Sequence, residues 1–174
     1  PRTLSPPTAR AVEATAVPVS PPPTRPTGAA TPTMPPPPAV TPTACSQGTS
    51  ALHQRYADLG TLAWASHQIV AGEVVAASAP YWVDTGTDRP AIFTDYLVRV
   101  ERQLRGFPAA TVIVRRQGGT IGTCTHLLTS EPTLAVGDRL LLFLYEGGRT
   151  NVPPHTYAVL GGSQGYWALD AAGR

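Results

Sequence analysis

Fourteen of the chain's twenty prolines fall within the first 44 residues, from Pro1 to Pro42, and the remaining 130 residues hold six. Proline fixes φ and removes a backbone donor, so a stretch this rich in it supports neither helix nor sheet. The same stretch is otherwise mostly Thr, Ala, Ser and Val, with no aromatic residue and a single Met34. It cannot bury enough apolar surface to offset the entropy of ordering. Residues 1–44 therefore read as a Pro/Thr-rich spacer or tether, polyproline-II-like at roughly 3 Å per residue and on the order of 100 Å if extended. Pro35 to Pro38 has the composition of a ligand for an aromatic groove, and the threonines that of a glycosylated stalk. A folded domain is expected over residues 45–174.

The charges divide the same way. Residues 1–44 carry three Arg and one Glu, whereas residues 45–174 carry ten Arg and ten acidic residues, with no Lys anywhere. The folded part thus has no basic excess, which argues against a nucleic-acid partner; Arg99, Arg115 and Arg116 offer only a small patch. No run of eighteen apolar residues is present, so a transmembrane helix is not expected. Pro1 rather than Met opens the sequence, and a spacer ahead of a compact domain commonly stands it off a membrane or wall. The expectation is an exported, extracellular or cell-surface protein whose leader or anchor is missing.

Within the folded part the apolar spacing has period two. In Thr94 to Leu104, Tyr96, Val98 and Val100 point one way and Asp95, Arg99 and Glu101 the other, with Leu97 as the exception. Gln68 to Ala76 is a β-branched run interrupted by Gly72, which marks a bulge or bend of the kind small closed barrels need. Thr111 to Arg116, Arg139 to Tyr145, Tyr157 to Leu160 and Tyr166 to Leu169 read as further strands, with turns at Gly106-Phe107-Pro108, Gly137-Asp138 and Gly161-Gly162. Residues 120–135 show no clear period. Leu52, Tyr56, Leu59 and Ala63 share one helical face, so Ser50 to Ser66 reads as a helix that Gly60 splits. The fold class is mainly β: a small five- to six-stranded OB-like barrel with one or two short helices, preceded by the Pro/Thr-rich extended segment.

Ala65 to Val75, Tyr96-Leu97-Val98-Arg99-Val100-Glu101 with Gly106, and Val136-Gly137-Asp138-Arg139-Leu140-Leu141-Leu142-Phe143-Leu144 resemble the strands of bacterial secreted domains related to the netrin-like module and the tissue inhibitors of metalloproteinases. The similarity covers residues 52–170 and implies an OB-like barrel. In the family's inhibitors an N-terminal Cys clamps the protease zinc through its free amine and carbonyl. Cys45 is the candidate for that role here, and it requires cleavage immediately before it.

Cys45 and Cys124 are the only cysteines. In an exported protein they are expected to pair, and the 80-residue loop so closed corresponds to roughly 4.5 kcal/mol in the chain-entropy account. Cys45, Cys124 and His126 lack the doubled short spacings of a zinc site, and Asp84 to Asp88 lacks the further ligands of a calcium loop. No metal or cofactor is expected. Gly161-Gly162-Ser163-Gln164-Gly165 matches a nucleophile elbow, yet no His follows it and a strand does, so a glycine turn is the better account. The chain is not expected to be an enzyme. OB-like barrels bind ligands at two loops, here Pro80 to Ile92 and Glu146 to Thr156. Tyr81, Trp82 and Arg89 in the first, with Arg149 and His155 in the second, are the candidate partner-binding residues. The functional expectation is a non-enzymatic exported or cell-surface domain that binds protein or glycan or takes part in extracellular assembly, self-association included. The alternative is a netrin-like protease-inhibitor module.

Overall fold

The computed structural model describes residues 48–49, 54–85, 90–128, 131–147, 155–170 and 172–173. The spacer, Cys45, Arg89 and Arg149 lie outside the described residues. In chain order the elements are β1 (Gly48–Thr49), α1 (Leu59–Ala65), β2 (Gln68–Ala77), β3 (Tyr81–Val83), β4 (Ala91–Arg105), β5 (Thr111–Gln117), β6 (Gly119–Ile121), β7 (Cys124–Leu127), β8 (Arg139–Glu146), β9 (Thr156–Val159), a 3₁₀ turn (Gly162–Gly165) and β10 (Tyr166–Ala168).

Five strands close on themselves. β2 pairs antiparallel with β4, β4 with β5, β5 parallel with β9, β9 antiparallel with β8, and β8 with β2. The order β2-β4-β5-β9-β8 is a closed OB-like barrel, with β3 added beside β4 and β10 beside β8. Closure needs sharp bending, and the bend is built into β2. Its register on β4 shifts between Ile69 and Val70, Ala71 and Gly72, and Val74 and Ala76. A Cβ on Gly72 would lie 2.3 Å from the Arg99 carbonyl oxygen, so only glycine lets the two backbones approach here.

Alternation fills the interior. Val70 and Val74 (β2), Tyr96 and Val98 (β4), Val112 and Val114 (β5), Leu140, Leu142 and Leu144 (β8), and Tyr157 and Val159 (β9) form one core, with Leu134 added from the segment before β8. Leu97, the exception to the pattern, faces outward opposite Ile113. Both are buried, so this part of the outer surface is not a polar face. Gly137 takes a left-handed φ of 97° in the expected turn, and Asp138 caps it by accepting from the Ala135 N–H at 2.7 Å.

The helix is shorter than its apolar spacing predicts. Asp58, in extended conformation, accepts from the Thr61 N–H at 2.7 Å and fixes the start of α1 at Leu59. Residues 54–57 precede it without helical structure. Gly60 does not split the helix; it sits in the first turn, where N–H groups lack intrahelical acceptors in any case. Leu62 packs on Ile69 and Phe143, covering the outer face of β2 and β8. Two further features carry no periodic signal. The aperiodic stretch after β5 folds as the β6–β7 hairpin, and β1 lies parallel to β7 with Gly48 opposite His126.

Candidate functional site

Tyr81 and Trp82 are not exposed loop residues. β3 is held against β4 with Tyr81 opposite Phe93 and Trp82 opposite Ile92, and both aromatics are 7% exposed. The Tyr81 hydroxyl donates to Asp95 Oδ2 at 2.7 Å. Arg115 grips the same carboxylate through Nε and Nη2 at 2.9 and 3.0 Å, and its guanidinium stands 5.5 Å from the centre of the Tyr81 ring. Burial, then the hydrogen bond to Asp95, holds the Tyr81 phenol well above the usual tyrosine range. Trp82 meets His126 edge to face at 5.6 Å, and His126 Nδ1 accepts from the Ile92 N–H at 3.2 Å. These side chains brace one end of the barrel, and the expectation that Tyr81 and Trp82 are exposed is corrected accordingly: pairing of β3 with β4 buries both rings, one on each face of the strand.

His155 is exposed, with a left-handed φ of 61°, and its carbonyl accepts from the Ile113 N–H. It is the one candidate partner-binding residue that the structure describes as exposed. The sequence's three-arginine patch is divided among separate pairs. Arg99 pairs with Glu73 on the outside of the barrel, Arg115 with Asp95, and Arg116 with Glu131. Arg116 has the parity of Val112 and Val114. It joins Glu131, which also accepts from the Tyr166 hydroxyl at 3.3 Å. Burial, then the charge of Glu131, raises the Tyr166 phenol well above its ordinary value. Ser163 is exposed in the 3₁₀ turn that runs directly into β10. No group of three or more His, Cys, Asp or Glu positioned to hold a metal occurs among the described residues. Cys124 opens β7 and is half-buried, and no cysteine among the described residues is free.

Leu127, Val136 and Trp167 are exposed on β7, before β8 and on β10, and a further group of exposed apolar side chains lies at the opposite end of β4. There β2 begins, β4 ends and β8 ends: Ile69 is opposite Arg105, and Gln68 opposite Leu144. α1 is tied to this end because Arg105 Nη1 donates to the Ala63 carbonyl at 2.6 Å. The turn after β4 is tied to it as well: the Gln68 side-chain amide lies 3.3 Å from the Phe107 backbone and 3.1 Å from the Tyr157 hydroxyl. His67 accepts from the Glu146 N–H, fixing the end of β8. Around this frame Trp64 is 78% exposed, Phe107 82% and Leu104 51%, with Tyr145 also exposed. At this end, then, Gln68 meets Gln103 and Tyr157, and Trp64, Leu104 and Phe107 are exposed.

Sequence reasoning did not select these residues, although two signals were present. Trp64 is off the apolar stripe of Leu59 and Ala63, so on a helix it faces away from the core. Phe107 sits in a turn between Gly106 and Pro108, where a large aromatic has no sheet to pack on. No family model, no curated protein and no solved structure matches the chain.

Proposed function

We propose that this chain is a non-enzymatic exported or cell-surface domain that binds a protein or glycan, or takes part in extracellular assembly. The observation that carries this reading is the exposure of Trp64, Phe107 and Leu104 around one end of the barrel, where Trp64 and Phe107 are the most exposed large hydrophobic side chains among the described residues. Exposed Trp and Phe on a rigid frame are the residue types that anchor interfaces. Burying one such side chain is worth about 1.5–3 kcal/mol, so losing both weakens binding by at least about a hundredfold. Kinship with the netrin-like module belongs to the same proposal and rests on the strand motifs of the sequence.

A Cys45–Cys124 disulfide is also part of it. Gly48 lies opposite His126 in a parallel register. In the sequence Cys45 precedes Gly48 by three residues and Cys124 precedes His126 by two, and that nearness to the β1–β7 pairing supports the bridge. Such a bridge would pin the spacer to the barrel beside β7.

The test is saturable binding of labelled protein to cells of the source organism and to their isolated wall glycan. The wild type is expected to bind, and the Trp64→Ala/Phe107→Ala double variant to lose at least about a hundredfold in affinity. No saturable binding by the wild type, or equal binding by the double variant, would refute the reading. Thiol labelling without reductant checks the bridge, and two reactive thiols would remove it.

A further inference from the structure

No further inference is drawn: the strongest candidate, the surface patch of Trp64, Leu104 and Phe107 where α1 meets the tail of β4, is exposed and apolar, and nothing in the structure shows what covers it.

Discussion

Arg115→Leu tests how the barrel wall is held. Its guanidinium and the Asp95 carboxylate form a two-pronged pair with side chains only 13% and 9% exposed. Among the described residues the Asp95 carboxylate has one further side-chain partner, the Tyr81 hydroxyl at 2.7 Å. Removing Arg115 leaves a carboxylate inside the protein with only a phenol to satisfy it. Breaking a buried pair from one side costs about 3–5 kcal/mol, most of it the uncompensated charge. For a folded part of this size each kcal/mol lowers Tm by roughly 3–5 °C, so Arg115→Leu should lose on the order of 10–20 °C. Replacing both partners removes the stranded charge, and Asp95→Leu/Arg115→Leu should therefore be less damaging than Arg115→Leu alone. Tyr81→Phe, which removes one hydrogen bond to a charged acceptor, should cost about 1.5–3 kcal/mol. Urea unfolding of the wild type, Asp95→Leu, Arg115→Leu and the double variant measures the coupling, with Tyr81→Phe measured beside them. Additive single and double losses, or an Arg115→Leu variant within about 0.5 kcal/mol of wild type, would refute the argument that the buried charge is what the pair neutralises.

Alkaline stability follows from the two raised phenols. Tyr81 and Tyr166 keep their protons in the fold at pH values where an unfolded tyrosine, titrating near pH 10, releases them. Their contribution is fully present below about pH 10 and is lost as pH rises above it, at up to about 1.4 kcal/mol per pH unit for each residue. Unfolding midpoints at pH 9, 10 and 11 should therefore hold and then fall, with a shallower fall in Tyr81→Phe; a flat profile to pH 11 would contradict the sign. Gly72→Ala should destabilise by about 1–3 kcal/mol, because its Cβ meets the Arg99 carbonyl. Gly147→Ala, which meets nothing within 4 Å, should stay within about 0.5 kcal/mol. Similar melting temperatures for the two variants would remove the close-approach explanation of the bend.

What the sequence made legible was whatever repeats locally. β2, β4, β5 and β8 show themselves because alternate residues fill one interior, and Gly72 because a strand interior tolerates glycine only for a reason. β1, β6 and β7 were not legible: they are two to four residues long and exist through pairing with partners distant in the chain, which no local period records. The helix was overread because an apolar stripe continues upstream of Asp58, while the carboxylate cap decides where the helix begins. Tyr81 and Trp82 were read as loop aromatics because three residues between Pro80 and a polar stretch give too little alternation to reveal a strand. The exposed end was missed because exposure is a tertiary property. Trp64 and Phe107 look like core residues by type, and only the joining of α1 to the tail of β4 through Arg105 places them together.

The central claim is that the barrel presents the end carrying Trp64 and Phe107 to its partner. Hydrogen exchange read peptide by peptide, comparing free protein with protein bound to isolated wall material or to its own associated form, tests it most directly. Slowed exchange should map to Leu62–Gln68 and Arg102–Ala109. Slowed exchange confined to the Tyr81, Ile92 and His126 end, with those two segments unchanged, would contradict it.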